Sequence, residues 1–338
     1  MTAGRKDAVV PSPNAAYEAI RRALEVRHSL LSDPETTCCR LFNGAADGVT
    51  GLVLEKFGEV LIAQLHEGRL KLEESAVRNL CALAMESTGT RSVYQKIFAS
   101  NRSAALHRVE ESHQDPQPWL GTPAIAEFPI LENGMTFLIR PFDGFSVGLF
   151  PEQRENRVRV RTWARNAAVL NTFAYTCGFS TAAALGGARL VVSVDVSKKY
   201  LDWGRRNFEA NGLDPQEHVF IRADVFDYFK RAARQGKRFD LIILDPPTFG
   251  RGKRPQRVFS LAEDLDRLVQ EAVELLHPGG RLLLSVNRRE TSFWRLEESL
   301  TSANPGDWAS IERLQLPMDY RGDPDFAKFL LARLKGKP

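Results

Sequence analysis

The stretch LIILDPPTFGRGKR, residues 241–254, indicates the class of fold. Its first four residues form an apolar run that predicts a buried strand, and this strand leads into Asp245. Pro246 and Pro247 then end the strand, because proline has no N–H to donate to a neighbouring strand. The following ten positions hold four basic residues: Arg251, Lys253, Arg254 and Arg257. The strand is therefore expected to present a carboxylate, a rigid bend and a basic loop at its carboxyl end.

Similar apolar runs recur on both sides of this strand, separated by segments with helical spacing. They are AAVLNTF (167–173), RLVVSVDV (189–196), HVFIRAD (218–224) and RLLLSV (281–286). Near-continuous apolar strands that alternate with helices are typical of parallel sheets with both faces covered. The sequence therefore predicts an α/β fold with a doubly wound, mostly parallel, Rossmann-like sheet. Two more strands, over 307–320 and 326–334, are expected as antiparallel edge strands.

The residues before this sheet have a different pattern. Residues 15–31 have the apolar spacing of an amphipathic helix. They are followed by strand-like runs over 40–66, a helix at about 70–88 and a strand at 92–97. A hairpin over 127–139 with a Glu-Asn-Gly turn comes next. We therefore predict an N-terminal arm and helix (1–35), a small α+β domain that binds RNA or substrate (36–144), and the large α/β domain (145–338).

Composition excludes some classes of protein. The net charge of +4 and a pI near 8.9 do not by themselves identify a nucleic-acid-binding protein. The four cysteines have no CxxC or Cys/His spacing, so we expect neither a metal site nor a disulfide framework. No apolar run approaches the roughly 20 residues that span a bilayer, and the first residues lack the apolar core of a signal peptide. We expect a cytoplasmic protein without a membrane partner.

The strand ends predict the cofactor. Asp195, Asp224 and Asp245 each follow an apolar strand, and the turn after the first strand contains only Gly178. The carboxyl ends of parallel strands share one edge, where ligands bind. Three carboxylates there suit ribose hydroxyls, an adenine amino group and a cationic centre, all of which S-adenosylmethionine has. The glycine-rich phosphate loop that nicotinamide dinucleotides or ATP require is absent. The alternative is that each aspartate is only a helix N-cap.

Four stretches carry a resemblance to a known family: GLFPEQRENR (148–157), LNTFAYTCGFS (170–180), VVSVDVSKKYLDWGRRNFEANGL (191–213) and FDLIILDPPTFGRGKR (239–254). Residues 145–338 resemble the class I S-adenosylmethionine-dependent domain of bacterial large-subunit ribosomal RNA methyltransferases. Residues 40–140 are similar to the small α+β domain that precedes it in that family.

The resemblance implies a role for particular residues. Asp195 is expected to hold the ribose, and Asp224 the adenine amino group. The other expected cofactor contacts are Gln153 and Arg154 as a cover, Tyr175, Cys177 and Gly178 around the methionine part, and Asn171, Phe173, Val196, Val225 and Asp245. The expected catalytic residues are Asp245, Pro246, Pro247, Phe249 and Asn287.

The positions of the cysteines indicate which atom of the base is methylated. Methylation of a pyrimidine at carbon 5 requires a cysteine thiolate that attacks the ring, yet neither DPPT (245–248) nor SVNRRE (285–290) contains one. Cys177 lies in the cofactor turn, where we interpret it as a packing residue. The family branch that makes 5-methylcytosine usually begins with a PUA domain, and only about 39 residues precede the α+β domain here. The resemblance is closest to the branch that makes 7-methylguanine.

The sequence therefore predicts direct methyl transfer to guanine N7 in large-subunit rRNA or a ribosome assembly intermediate. Asp245 and its carbonyl neighbours would accept hydrogen bonds from the amino edge of the base, and Phe249 would stack on it. Asn287 would also read the base edge, and Arg288 and Arg289 would contact phosphates. Three alternatives stay open: a 5-methylcytosine rRNA methyltransferase, a methyltransferase for a small molecule or a protein, and a non-catalytic RNA-binding module. The sequence predicts no metal and leaves the oligomeric state open.

Overall fold

The computed structural model describes residues 11–99, 113–248 and 259–336. These residues form two compact units. The first unit comprises the described residues up to Pro151 together with Met318–Asp323. The second comprises Glu152–Pro317 and the described residues from Pro324 onward. A short segment near the C-terminus thus returns to the first unit, which the sequence analysis did not predict.

The first unit is built on a five-stranded sheet. Its strands are β1 (Cys38–Asn43), β2 (Leu52–Phe57), β3 (Val60–His66), β4 (Ser92–Phe98) and β5 (Leu120–Gly121), in that spatial order. Only the pair β3 and β4 is parallel, and helix α3 (Glu74–Thr88) connects these two strands. A separate hairpin pairs β6 (Phe128–Glu132) with β7 (Met135–Ile139). Its turn residues Asn133 and Gly134 have positive φ, which confirms the predicted hairpin turn.

The N-terminal helix is part of the first unit. Helix α1 (Pro13–Val26) begins where the Ser12 side chain accepts a hydrogen bond from the Ala15 N–H, and the short helix α2 (His28–Leu31) follows it. Ala16, Ala19, Ile20 and Ala23 of α1 share one core with residues of α3 and the sheet. The single helix predicted over 15–31 is therefore two helices, and it packs within this unit instead of forming a separate segment with the arm.

The returning segment is held by buried arginines of the same unit. The Arg40 N–H donates to Asp319 Oδ2 over 2.9 Å, and the Arg40 guanidinium lies 4.1 Å from the centre of the Tyr320 ring. Arg27 donates to the Asp319 carbonyl over 2.8 Å. The segment around Tyr320 is thus fixed by charge-assisted hydrogen bonds and ring stacking.

The second unit contains a seven-stranded sheet in the order β10-β9-β8-β11-β12-β14-β13. The strands are β8 (Ala168–Thr172), β9 (Leu190–Asp195), β10 (Val219–Arg222), β11 (Phe239–Leu244), β12 (Leu276–Val286), β13 (Trp308–Leu314) and β14 (Lys328–Leu334). The helices are α4 (Arg154–Trp163), α5 (Gly178–Leu185), α6 (Lys198–Ala210), α7 (Val225–Arg234), α8 (Leu261–Val273) and α9 (Phe293–Ala303). The strands β8–β12 are parallel, and β14 is antiparallel to both β12 and β13.

This confirms the predicted Rossmann-like fold, with three differences. Strand β14 lies between β12 and β13, so of the two strands predicted at the edge only β13 is an edge strand. Helix α8 ends at Val273, and β12 begins at Leu276, before the apolar run 281–286 that predicted this strand. Helix α9 was not predicted at all. Its buried face is formed by Leu296, Ser299 and Leu300, and the Ser292 side chain caps it.

Among the described helices, none combines the length and the apolar character that a membrane span requires.

Candidate cofactor and substrate site

The predicted site residues share one edge of the second sheet. Because β8–β12 run parallel, their carboxyl ends meet there, and strand order places Asp224, Asp195, the loop after β8, Asp245 and Asn287 in sequence along it. The order reverses between β8 and β11, which is the switch point where open α/β sheets bind ligands. The edge therefore has one half around β8–β10 and another around β11 and β12.

The loop after β8 has an unusual backbone. Phe173, Tyr175 and Cys177 have φ values of 52°, 49° and 62°, in the left-handed region that favours glycine. Such residues cost about 1–3 kcal/mol each and concentrate at functional sites. Three of its N–H groups already have partners inside the unit: the Ala174 N–H donates to the Val194 carbonyl, the Tyr175 N–H to Asp195 and the Cys177 N–H to the Ala174 carbonyl. The loop is therefore held in this backbone by its own hydrogen bonds.

Helix α6 holds this loop in place. The Asn207 side chain, fully buried, donates to the Thr176 carbonyl over 2.8 Å. Gly204 allows the Cys177 side chain to lie directly against the helix, since a Cβ at Gly204 would lie only 2.7 Å from the Cys177 Cβ and closer still to its Sγ. Burial raises the pKa of the Cys177 thiol to about 12. Cys177 is therefore a neutral packing residue, in agreement with the interpretation from sequence.

Asp195 organises the neighbouring strand end. Its Oδ2 accepts from the Tyr175 N–H and its Oδ1 from the Ser197 N–H, each over 2.8 Å. Burial raises the pKa of the Asp195 carboxyl, while these backbone hydrogen bonds oppose the shift. The Val196 N–H also bonds to this carboxylate, which keeps part of its acceptor capacity. Val196, with 53% of its surface exposed, offers an apolar contact beside the carboxylate.

Asp224 is the N-cap of helix α7. Its Oδ1 accepts from the Phe226 N–H over 2.8 Å and from the Asp227 N–H over 3.4 Å. The alternative of a helix N-cap is therefore true of Asp224, and its proposed contact with a ligand would use the other oxygen. Val225 is buried in the hydrophobic core, so a ligand could contact only its backbone.

Asn171 and Phe173 have partners inside the unit. Asn171 is 1% exposed and donates to Ser180 Oγ over 2.9 Å, and Ser180 also accepts from Ser193. The Asn171 side chain thus links β8 to α5 rather than facing a ligand. The Phe173 ring lies 5.1 Å from that of Phe259.

Asp245 is held by two polar side chains. Gln153 Nε2 donates to Asp245 Oδ1 over 3.2 Å and to Ser285 Oγ over 2.5 Å. Burial raises the pKa of the Asp245 carboxyl, while a hydrogen bond with Ser285 and the positive charge of Arg157 oppose the shift. Pro246 is buried and fixes the chain that leaves the strand.

Gln153 is itself held from helix α4. Asn156 Nδ2 donates to Gln153 Oε1 over 2.9 Å, and Arg159 donates to Asn156 Oδ1 over 3.1 Å. Gln153, Asn156 and Arg154 are all buried. Arg154 lies 3.6 Å from Glu155, so its guanidinium already contacts one carboxylate.

Asn287 follows β12 on the same half of the edge. Its Nδ2 donates to Glu152 Oε1 over 3.3 Å, and its carbonyl accepts from the Thr248 hydroxyl over 3.3 Å. Asn287 is exposed, whereas Glu152 is 5% exposed. Arg288 pairs with Glu290 over 3.4 Å.

Phe249 and the basic residues of the following loop lie outside the described residues, so their predicted contacts remain predictions. They are Phe249, Arg251, Lys253, Arg254 and Arg257.

Six residues that shape this edge were not predicted. They are Glu152, Asn156, Tyr200, Gly204, Asn207 and Ser285. The dense polar run PEQREN (151–156) was a signal for some of them. For Ser285, the signal was one hydroxyl in an otherwise apolar strand.

The residues of this edge fit adenosine linked to a cationic sulfur. Carboxylate acceptors and an exposed valine are present. In the described ranges, no group of three or more His, Cys, Asp or Glu side chains is arranged to hold a metal ion.

A family model described as S-adenosylmethionine-dependent methyltransferase matches residues 73–334. The chain belongs to this family. The methyltransferase is thus an enzyme whose cofactor is S-adenosylmethionine, and its fold and strand-end carboxylates agree with that assignment.

Relatives by sequence carry more specific names. The methyltransferase is 33% identical over 309 residues to the Bacillus subtilis protein named "Putative ribosomal RNA large subunit methyltransferase YwbD", covering 89% of this chain and 74% of that protein. It is 34% identical over 245 residues to "Ribosomal RNA large subunit methyltransferase I" of Klebsiella pneumoniae, covering 72% of this chain and 58% of that protein.

Solved structures agree with the fold. The structure described as "Crystal structure of SMU.776, a putative methyltransferase complexed with SAH" has a TM-score of 0.82 and 27% identity, covering 96% of this chain and 83% of that chain. A structure described as a putative SAM-dependent methyltransferase from Streptococcus mutans has a TM-score of 0.80 and 26% identity, covering 96% of this chain and 82% of that chain.

Proposed function

We propose that this enzyme methylates large-subunit rRNA at guanine N7 by direct transfer. The observation that carries the choice of a ring nitrogen is the state of the cysteines. All four cysteines of the chain are buried, and Cys177 is the one in the second unit. It packs against Gly204 in the half of the edge around β8–β10, which we call the cofactor half. Carbon-5 chemistry on a pyrimidine needs an accessible thiolate at the base. Burial raises the pKa of Cys177 to about 12, which argues against that role.

The cofactor half has the groups that the proposed binding requires. S-adenosylmethionine supplies an electrophilic methyl group when bound. Asp195 holds the ribose through the acceptor capacity that its backbone hydrogen bonds leave, and Val196 packs against the adenine. The loop residues Tyr175, Cys177 and Gly178 pack around the methionine part. Asp224 accepts from the adenine amino group through the oxygen that does not cap α7.

The half of the edge around β11 and β12, which we call the substrate half, needs to position a base and does not need to activate it. Guanine N7 already carries a lone pair, so the rate depends on the placement of the nitrogen in line with the methyl group. Asp245 and Asn287 accept hydrogen bonds from the base. Both side chains are oriented by buried groups, which favours a fixed geometry.

RNA is the proposed substrate because the relatives YwbD and methyltransferase I have names that specify large-subunit ribosomal RNA. The basic loop after Asp245 supports the same substrate, because arginine and lysine suit phosphates. We extend the proposal to the first unit, which we expect to contact RNA.

A covalent trap separates this proposal from carbon-5 methylation. The purified enzyme is incubated with S-adenosylmethionine and rRNA transcribed with 5-fluorocytosine, and adducts are sought on denaturing gels. No adduct is expected, and Cys177→Ala should keep most of the methyl transfer to unmodified rRNA. An adduct that disappears in Cys177→Ala would contradict direct transfer and support methylation of a pyrimidine at carbon 5.

A further inference from the structure

One short turn contacts both strand ends of the substrate half. The turn Pro151–Gln153 places Glu152 on Asn287, after β12, and Gln153 on Asp245, after β11. Glu152 lies 135 residues from Asn287 along the chain, and Gln153 lies 92 residues from Asp245. Two adjacent side chains therefore link the two proposed base-reading groups to one local element.

The contact with Glu152 fixes which way the Asn287 amide faces. Asn287 Nδ2 donates to Glu152 Oε1 over 3.3 Å, so the branch of the amide that faces Glu152 is the NH2 group. The amide oxygen is on the other branch and stays available as an acceptor. Glu152 is 5% exposed and Asn287 is exposed, so a buried group orients a surface group.

The contacts of Gln153 have the same logic. Its oxygen accepts from Asn156, which leaves the NH2 group to donate to Asp245 Oδ1 and Ser285 Oγ. Arg159 in turn donates to Asn156 Oδ1, which fixes the orientation of that amide. The Asp245 carboxylate is thus held in a set position by Gln153 and by a hydrogen bond with Ser285.

We infer that Glu152 is a positioning residue that makes Asn287 a hydrogen-bond acceptor for the substrate base. With Asp245, the substrate half then offers two acceptors and selects a base edge that carries N–H donors, as the N1–H and 2-amino edge of guanine does. The inference rests on the proposed function for the identity of the substrate. It goes further in naming the residue that sets the direction of recognition, which lies outside the cofactor half.

The variants Glu152→Ala and Glu152→Gln test this role. Glutamine retains an oxygen that can accept from Asn287, whereas alanine leaves the amide free to rotate. Transfer of labelled methyl groups is measured on large-subunit rRNA from a strain of the source organism that lacks this gene. We expect kcat/KM to fall about tenfold or more in Glu152→Ala and to recover largely in Glu152→Gln. The affinity for S-adenosylhomocysteine, measured by calorimetry, should not change in either variant.

A double-mutant cycle separates positioning from a general structural effect. If Glu152 acts through Asn287, the loss in Glu152→Ala/Asn287→Ala should equal the loss in Asn287→Ala alone. Glu209→Ala, which removes an exposed acidic side chain from α6, is the control for charge and should match the wild type. Additive losses, unchanged kcat/KM in Glu152→Ala, or no recovery in Glu152→Gln would overturn the inference.

A measurement without RNA keeps the inference distinct from the proposed function. In protein labelled with ¹⁵N-asparagine, the side-chain NH2 signals of Asn287 are assigned by their loss in Asn287→Ala. They should move in Glu152→Ala and stay nearly in place in Glu152→Gln. If the signals do not move, the positioning role is wrong. If they move but the wild type transfers no methyl group to rRNA, the proposed substrate is wrong and the positioning role stands.

Discussion

Removal of the Asp195 carboxylate should weaken cofactor binding by a predictable amount. A carboxylate has about four acceptor positions, and in Asp195 the backbone N–H groups of Tyr175, Ser197 and Val196 use part of them. We propose that the remaining capacity accepts from the ribose hydroxyls. Hydrogen bonds to a charged acceptor contribute about 1.5–3 kcal/mol each, and water in the vacated space recovers part of the loss. We expect a net loss of about 2–3 kcal/mol in Asp195→Ala, or about 30- to 160-fold in Kd.

Calorimetry with S-adenosylmethionine and S-adenosylhomocysteine measures this loss. Asp214→Ala is the matched control, because Asp214 also accepts from a backbone N–H, that of Gln216, but caps a 3-10 turn away from the strand ends. Thermal unfolding shows whether each variant keeps its fold. An unchanged Kd in a folded Asp195→Ala protein would refute the assignment of Asp195 to the ribose.

Three further predictions concern the packing of Gly204, the N-cap at Asp224 and the buried His113 of the first unit. Gly204→Ala should destabilise the protein by about 1–3 kcal/mol and weaken cofactor binding, because the new Cβ collides with Cys177. Adding Cys177→Gly should restore the stability in urea unfolding and the affinity in calorimetry, and no recovery would contradict the packing argument. Asp224→Ala should cost about 1 kcal/mol as a lost N-cap, whereas Asp224→Asn should keep that stability in thermal unfolding. Burial and the charge of Lys96 lower the pKa of His113 to about 4 from 6.5, so the unfolded chain binds more protons than the folded one between these pH values. Stability should therefore fall by up to about 3 kcal/mol as the pH drops through that window, and His113→Asn should lose that part of the slope in urea unfolding; equal slopes would contradict the shift.

The fold of the second unit was readable from sequence because each strand has its own apolar run. Runs such as the one over 241–244 need no distant information, and parallel strands joined by helices follow from their alternation. Helix α9 was readable as well, since Phe293, Leu296 and Leu300 have helical spacing after the capping residue Ser292. The return of Met318–Asp323 to the first unit was not readable, because it depends on contacts with Arg27 and Arg40 far along the chain.

The candidate site was readable only in part. An aspartate that directly follows an apolar run is visible in the sequence, so Asp195, Asp224 and Asp245 could be predicted from the strand patterns alone. Left-handed backbone at Phe173 and Tyr175 has no local signal, because neither residue type favours it and helix α6 holds the loop from outside. The contacts of Glu152 and Gln153 join residues that are distant in sequence and depend on the topology of the sheet.

The central claim is that this methyltransferase makes 7-methylguanine in large-subunit rRNA. The most direct measurement is mass spectrometry of nucleosides from the rRNA of a strain that lacks the gene, before and after treatment of that rRNA with the purified enzyme and S-adenosylmethionine. We expect 7-methylguanosine to be depleted in the deletion strain and to be restored by the wild-type enzyme but not by Asp245→Ala. Restoration of 5-methylcytidine instead, or an rRNA that is identical with and without the gene, would contradict it.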